Sequence, residues 1–375
     1  MVNRLRFLLI FCTVLSLLLL SVYKPVQADW KADWKKTLAA ARKEGSVRVY
    51  GPPGNQYIDA IETFKKVYPK IKMVYVPGSG SQHANRLGAE RRAGKFIADN
   101  YIGGAGTGGI LALKGYFDPL PPLLILPEVT DQSVWFRKQH HFAVPQKSLF
   151  LMEGTVTSTI ALYNTKKHKP GMLKTFKDLL NPKWRGKMVS DDPTARGRLA
   201  TWKGIYYNKN LGPKFIQRLY GEQEVTIARD INQMINWVAR GRYELYIAAR
   251  GTEVATAKKQ GLPVEIYRAP TSEAYLSGGW GQLAVVNRAP HPNAAAVFAN
   301  WMISKEGQIA WQKNADRNSM RMDIPKDMIT DQFTVAKPGG KYMISNLYQY
   351  RDVSGLKKLV AKARADAAKA AKKRK

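Results

Sequence analysis

The hydrophobic positions of this chain alternate between strand-like runs and helix-like stripes. Residues 46–50, 71–76 and 99–102 form short runs with strand character, and stretches with helical spacing follow them, as at 58–67 and 82–93. Strands that alternate with helices predict an α/β fold with a largely parallel, doubly wound sheet. In such sheets a ligand binds beyond the carboxyl ends of the strands.

The alternation restarts in the second half of the chain, which predicts a second lobe. Strands are predicted at residues 157–164, 187–190 and 244–249. The clearest helix covers residues 230–240, where Asp230 supplies an N-cap.

The last quarter of the chain is predicted to return to an apolar strand at residues 277–287. A helix then starts at Pro292 and runs to Gly307. The final residues, 351–375, are rich in Ala, Lys and Arg and have little apolar surface, so we expect a solvated, frayed tail.

The first residues have the pattern of a secretory signal. Arg4 and Arg6 precede an apolar run at residues 7–23, and Ala28 ends a short polar stretch. We therefore predict cleavage after Ala28 and a periplasmic protein. An uncleaved anchor is the alternative, because the apolar run is at the lower limit for spanning a bilayer. The only cysteine is Cys12, so the mature chain has no disulfide and no thiolate metal site.

The formal net charge of +32 favours anionic partners. Residues 351–375 contribute +8 and the first 28 residues contribute +3, which leaves +21 for the body. Basic segments with aromatic residues, at 184–187 and 206–209, have the composition that stacks on single-stranded nucleic acid. Secretion separates the chain from that partner, so no nucleic acid is expected.

Four strand-to-helix turns are rich in Gly, Ser, Thr, Asn or Pro, at residues 51–55, 78–81, 103–109 and 193–198. Glycine lets backbone N–H groups face a ligand, and a helix N-terminus adds unpaired N–H groups and partial positive charge. Several such turns in one cleft would bind an anion or a polar solute, although each turn alone is more typical of an ordinary connection. The ligand contacts predicted from these turns are Asn55, Ser79, Gly80, Ser81 and Thr107.

No motif indicates an enzyme or a resident cofactor. Residues 104–109 satisfy the G-x-G-x-x-G pattern, but the predicted helix after them is short, and the next acidic residues, Asp118 and Glu128, fall in proline-rich sequence. The pair His140 and His141 lacks helical metal-ligand spacing. The sequence contains no G-x-S-x-G nucleophile elbow. We therefore predict no catalytic residue, no metal site and no cofactor.

Three segments resemble the bacterial extracellular solute-binding proteins of the ferric-iron, polyamine and thiamine grouping. They are the predicted strand 159–165, the segment 230–243 and the segment 289–308. The resemblance extends over nearly the whole chain after the signal. It implies a class II periplasmic-binding-protein fold, in which two α/β lobes joined by two crossing strands close on one ligand like a hinge.

The resemblance also implies a division of the chain and a set of partners. By position, residues 1–28 are the signal, 29–158 and 277–350 form lobe one, 159–276 form lobe two with a hinge strand, and 351–375 are a basic tail. The implied partners are one small-molecule solute and the membrane subunits of an ABC permease. The ATPase of such an importer is a separate chain.

Ferric-iron members of the grouping imply an adjacent tyrosine pair after the strand predicted at 244–249. This sequence instead has Arg250 in that loop. The available pair, Tyr206 and Tyr207, falls inside a helical stretch, which favours packing over metal binding.

An anionic ligand agrees better with the sequence, because guanidinium groups bind carboxylates and phosphates through paired donors. Arg196, Arg250 and Arg321 are predicted to supply those donors. The first hypothesis is therefore a monomeric, non-catalytic binding protein that holds a small anionic solute between its lobes. The alternatives are a ferric-iron-binding transport protein and a secreted cationic protein that binds anionic envelope polymers.

Overall fold

The computed structural model describes residues 29–195 and 199–372. The predicted signal at residues 1–28 and the end of the predicted tail lie outside these ranges. The strands are β1 Ser46–Gly51, β2 Lys72–Pro77, β3 Asn100–Gly103, β4 Phe117–Asp118, β5 Phe150–Leu151, β6 Thr155–Thr157, β7 Thr159–Asn164, β8 Met188–Asp191, β9 Thr226–Ala228, β10 Leu245–Ile247, β11 Val264–Arg268, β12 Tyr275–Ser277, β13 Gln282–Val286 and β14 Met343–Ile344.

Helices cover both lobes, and short 3-10 helices connect several of the larger elements. The α-helices are α1 Trp30–Glu44, α2 Asn55–Val67, α3 Gly80–Arg92, α4 Ala105–Leu113, α5 Pro127–Thr130, α6 Leu199–Tyr206, α7 Gly212–Glu222, α8 Ile231–Ala239, α9 Gly251–Lys259, α10 Pro292–Ile303, α11 Lys305–Ala315 and α12 Ser354–Lys372. The 3-10 helices are Pro121–Leu123, Phe136–Lys138, Phe176–Leu180, Pro182–Trp184, Gln332–Thr334 and Tyr348–Tyr350. Within the described ranges, no helix is long and apolar enough to cross a membrane.

The first lobe is built on a six-stranded sheet with the order β2-β1-β3-β13-β4, in which β5 also pairs with β13. Strands β1, β2 and β3 are parallel to one another, whereas β13 is antiparallel to its neighbours. The sheet is therefore mixed rather than largely parallel. The reason is that β13 enters from the edge at which the parallel strands end, because the chain has just returned from the second lobe.

The second lobe has a five-stranded sheet with the order β11-β7-β10-β8-β9. Strands β8, β9 and β10 are parallel, and β7 runs antiparallel to both β10 and β11. All six residues of β7 are buried. This burial places β7 in the interior of the lobe, where it separates two clusters of apolar side chains.

The chain crosses between the lobes twice, at neighbouring positions. One crossing follows β6 at Ser158, and the other follows β11 at Ala269, whose N–H donates to the carbonyl oxygen of Ser158 at 2.6 Å. A small sheet of β14, β12 and β6 lies on the first-lobe side of these crossings. The two lobes are thus joined by two adjacent strands, as the family resemblance implied.

The C-terminal segment differs from the expected frayed tail. Helix α12 packs against the second lobe, and Leu356, Val360 and Ala363 are buried in its apolar cluster. These residues are spaced four and three positions apart, so they form one face of a helix. The prediction of a solvated tail is therefore wrong for this part of the chain, since few apolar residues suffice when they all face the same surface.

The predicted helix from Pro292 to Gly307 is in fact two helices. Ser304 ends α10 in an extended conformation, and its hydroxyl oxygen accepts a hydrogen bond from the N–H of Gly307 at 3.2 Å, which caps α11. The apolar spacing continues across this break, which is why periodicity alone merged the two helices.

Candidate functional site

Three loops meet at one edge of the first-lobe sheet, where β1, β2 and β3 end. The register pairs Gly51 with Pro77 and Tyr50 with Tyr101, so the three strands finish side by side. The N–H of Gly78 donates to the carbonyl oxygen of Gly51 at 2.9 Å and ties two of the loops together. Helices α2, α3 and α4 begin directly after these loops, so their N-termini share this edge.

Ser79, Gly80 and Thr107 are brought together at this edge. The Ser79 hydroxyl oxygen accepts a hydrogen bond from the N–H of Gln82 at 3.3 Å, and the side-chain Oε1 of Gln82 accepts one from the N–H of Ser79 at 2.7 Å, which caps α3. An added Cβ at Gly80 would lie 2.8 Å from Thr107 Oγ1, so glycine permits the close approach of α3 and α4. The hydroxyl oxygen of Ser81 lies 3.2 Å from the hydroxyl oxygen of Ser79, and Ser81 is exposed.

Asn55 is exposed at the first position of α2, next to the same loops. Five of the eight predicted contacts therefore lie on one wall of the first lobe. Their ligand-binding role is a prediction from the sequence.

Trp280 also lies on this wall, and sequence reasoning missed it. It is 45% exposed, which is unusual for a tryptophan in a folded domain. Its Cδ1 would lie 3.5 Å from an added Cβ at Gly104, and its ring centroid is 5.8 Å from that of Tyr57 in α2. The available signal was a tryptophan flanked by glycines in the loop between β12 and β13.

The buried carboxyl group of Glu153 packs against the loop that carries Trp280. Glu153 is 1% exposed, and its Oε2 accepts a hydrogen bond from Trp311 Nε1 at 3.0 Å. A Cβ at Gly279 or Gly281 would overlap the Glu153 side chain, so the loop can pass this closely only as glycine. Burial raises the pKa of Glu153 to about 7, although the Arg317 charge and the hydrogen bond from Trp311 act in the opposite direction.

Arg317 places a cationic group beside the same wall. Its Nη2 donates to the Tyr57 hydroxyl oxygen at 3.3 Å. Burial by itself would lower the pKa of Arg317, but the nearby Glu153 and Tyr57 raise it above its ordinary value. The guanidinium therefore remains charged beneath the aromatic surface formed by Tyr57 and Trp280.

The second lobe contributes the ends of β8 and β10. Arg250 immediately precedes α9, its side chain is 46% exposed, and its Nε lies 3.8 Å from Glu253 Oε1. Tyr246 donates its hydroxyl proton to Asp191 Oδ2 at 3.2 Å, which joins β10 to β8. Arg196 falls outside the described residues, so the structure does not place it.

Arg321 does not fit its predicted ligand role. It is 2% exposed, and its Nε and Nη2 each donate to the Asp323 carboxylate at 2.9 Å. Its Nη1 donates to the carbonyl oxygens of Glu128 at 3.2 Å and Ile303 at 3.1 Å. The prediction was wrong because the charge is neutralised inside the first lobe, where a buried guanidinium must be paired.

The tyrosine pair considered for iron is packed against the C-terminal segment. The Tyr206 and Tyr207 rings are 5.0 Å apart, and Tyr207 donates its hydroxyl proton to the carbonyl oxygen of Asp352 at 2.5 Å. This packing agrees with the interpretation from sequence. Within residues 29–195 and 199–372, no group of three or more His, Cys, Asp or Glu side chains is arranged to hold a metal ion.

Three solved structures illustrate the fold. The Trichodesmium protein IdiA (FutA), solved with iron and citrate, has a TM-score of 0.60 and 18% identity, covering 87% of this chain and 99% of its own. The periplasmic binding protein AfuA from Actinobacillus pleuropneumoniae, with fructose-6-phosphate bound, has a TM-score of 0.54 and 18% identity, covering 86% and 99%. The substrate-binding protein of an ABC transporter from Agrobacterium tumefaciens has a TM-score of 0.57 and 17% identity, covering 87% and 96%.

These similarities support the two-lobed periplasmic-binding-protein fold, and they confirm the fold class predicted from the sequence. No match was found among curated proteins.

Residues 59–323 match the family described as "Bacterial extracellular solute-binding protein". The match covers more than half of the chain, and it confirms the solute-binding role predicted from the resemblance. This chain therefore belongs to the bacterial extracellular solute-binding protein family.

Proposed function

We propose that the chain captures a small anionic solute between its two lobes and presents it to the membrane subunits of an ABC importer. The observation that carries this proposal is the position of the exposed Trp280 ring beside the N-terminal ends of α2 and α4. An aromatic face and unpaired backbone N–H groups together suit a solute with a flat or apolar body and an anionic group.

Charge supports an anion over a cation. Apart from the predicted signal and tail, the chain carries a formal charge of +21. Arg317 lies beneath the first-lobe wall, and Arg250 is exposed where β10 leads into α9. A positive field and fixed guanidinium groups raise the local concentration of anionic solutes and stabilise them when bound.

Transport and location follow from the same proposal. The family is extracellular, and we propose export through a signal cleaved after Ala28, with function in the periplasm as a monomer. The solute is bound and released without chemical change. The Agrobacterium tumefaciens structure, a substrate-binding protein of an ABC transporter, supports a membrane permease as the partner.

The test is a thermal-shift screen of the mature protein against phosphate esters, phosphonates, small carboxylates, polyamines, thiamine and ferric citrate. A ligand that binds only the folded state raises the melting temperature by mass action. We expect a shift with one class of anion, followed by quenching or enhancement of tryptophan fluorescence as the ligand covers Trp280.

Matched variants assign the binding to this wall. Trp280→Ala and Arg250→Ala should each weaken binding at least tenfold. Trp30→Ala removes another exposed tryptophan, and Arg185→Ala removes another surface arginine paired with a glutamate, so both controls should bind like the wild type. A flat screen together with salt-sensitive binding to polyanions would contradict the proposal and favour the cationic polymer-binding alternative.

A further inference from the structure

A groove on the surface of the second lobe is lined by α7 and by residues 172–184. Its volume is about 630 Å³, it is open to solvent, and none of its lining residues belongs to the first lobe. None of the predicted solute contacts that the structure describes lines this groove, so it is a separate surface. It is lined by Met172, Leu173, Lys177, Asp178, Leu180, Asn181, Lys183, Trp184, Asn210, Leu211, Lys214, Phe215 and Arg218.

One wall of the groove is a single face of α7 and the residue before it. Leu211, Lys214, Phe215 and Arg218 are spaced at intervals of three and four residues, so they lie in a row over about 10 Å of helix. The other wall is the stretch of residues 172–184, which contains two 3-10 helices.

The floor of the groove is apolar. Leu173, Trp184, Leu211 and Phe215 line it while being largely buried in the second-lobe core. Met172 stands at the edge with 39% of its side chain exposed. An apolar floor of this kind can bind one or two apolar side chains of a partner.

The rim of the groove is cationic on both walls. Lys177 and Lys183 belong to one wall and Lys214 to the other, and all three are exposed. No ion pair in the described part of the chain includes any of these three lysines. Asp178, the one carboxylate of the lining, accepts hydrogen bonds from the N–H groups of Lys174 at 2.7 Å and Thr175 at 2.9 Å.

We propose that this groove docks an acidic segment of a partner protein, with an apolar side chain on the floor and carboxylates at the lysines of both walls. Small-molecule sites usually bury most of the ligand surface, whereas this groove is open and its lysines lie along both sides. A peptide segment can present carboxylates on either side of an apolar anchor. The proposal does not depend on the solute site.

The test uses the mature protein and a fluorescein-labelled peptide in which Leu and Phe are flanked by glutamates, with binding followed by fluorescence anisotropy at physiological salt. The double variant Lys177→Glu with Lys214→Glu should bind at least tenfold more weakly. The control is Lys357→Glu with Lys362→Glu, which changes the net charge equally on exposed positions of α12 and should stay within about twofold of wild type. Equal weakening by both double variants would overturn the proposal, because binding would then follow overall charge.

A second arm examines the apolar floor. A peptide with serine in place of Leu and Phe should bind at least tenfold more weakly, and Met172→Ser should weaken binding of the original peptide several-fold. All the substituted positions are exposed, so melting temperatures close to that of the wild type should verify folding. Undiminished binding of the serine peptide would overturn the proposal. Displacement of the original peptide by inorganic phosphate or by phosphatidylglycerol vesicles at constant ionic strength would also overturn the proposal, because the groove would then bind a small anion or a lipid surface.

Discussion

The Oδ2 atom of Asp331 in the first lobe lies 3.3 Å from the Nη2 atom of Arg268 in the second lobe. The same carboxylate oxygen would be 3.7 Å from an added Cβ at Gly251, the first residue of α9. The Arg268 guanidinium also lies 4.3 Å from the ring centroid of Phe333. Side chains of the first lobe therefore contact the second lobe where α9 begins, in addition to the two crossing strands.

This contact predicts an effect on the separation of the lobes. Arg268→Ala should shift the ligand-free protein towards larger separations, because an ion pair between the lobes favours the arrangement in which they approach. A partly exposed pair contributes about 1 kcal/mol or less, so the ratio of the two populations should change by up to about fivefold.

Spin labels at the exposed positions 66 and 259 would report this shift as a distance distribution from double electron–electron resonance, since the mature chain has no native cysteine. Arg185→Ala removes an ion pair within the second lobe and should leave the distribution unchanged. An identical distribution for Arg268→Ala would mean that the pair does not control lobe separation.

The buried carboxyl of Glu153 predicts a specific pH dependence of stability. Burial raises its pKa to about 7 in the folded protein, above the ordinary value of 4.5. The folded state therefore keeps a proton that the unfolded chain has lost between these values, so this group stabilises the fold fully below pH 4.5. Its contribution falls as the pH rises through 7, by about 3 kcal/mol in total.

Glu153→Gln should remove this pH dependence. The unfolding free energy of the variant minus that of the wild type should increase by about 3 kcal/mol from pH 4 to pH 8, as measured by urea denaturation. Glu62→Gln, at a partly exposed position of α2, should give a nearly constant difference. A constant difference for Glu153→Gln as well would show that Glu153 does not titrate in this range.

The docking of α12 predicts that the end of the chain stabilises the second lobe. Leu356 is fully buried against that lobe, so Leu356→Ala should lower the unfolding free energy by about 2–5 kcal/mol. The neighbouring Lys357 is exposed, and Lys357→Ala should change it by less than about 0.5 kcal/mol. Chemical denaturation measures both changes. If Leu356→Ala lowered the unfolding free energy as little as Lys357→Ala, the C-terminal segment would be frayed in solution.

The junction between α10 and α11 predicts a requirement for glycine. A Cβ at Gly307 would overlap the carbonyl oxygen of Trp301 and lie 2.9 Å from the Cα of Met302, and backbone atoms cannot move aside as a side chain can. Gly307→Ala should therefore lower the unfolding free energy of the first lobe by at least about 1 kcal/mol.

Gly109 of α4 is the matched control for this substitution. An added Cβ there meets no atom within 4 Å, so Gly109→Ala should be neutral or stabilise by up to about 1 kcal/mol. Thermal melts of both variants would measure the difference. A Gly307→Ala protein as stable as the wild type would require the two helices to meet in another way.

Local features were predicted well because neighbouring residues decide them. Helix α1 ends at Gly45, which has the left-handed φ of 74° expected for a C-terminal glycine. Asp230 caps α8, as predicted, by accepting a hydrogen bond from the N–H of Gln233 at 3.0 Å. The break at Ser304 was missed because apolar residues on both sides of it face the same core.

The sequence by itself determined the alternation of strands and helices, the polar turns at the strand ends and the family, since each depends on residues close together or on a pattern along the chain. Only the tertiary structure decided that Trp280 lies beside Gly104, that Arg321 is neutralised in the interior and that α12 covers the second lobe. The physical reason is that burial and contact between residues distant in sequence depend on how the elements pack, which no local pattern encodes.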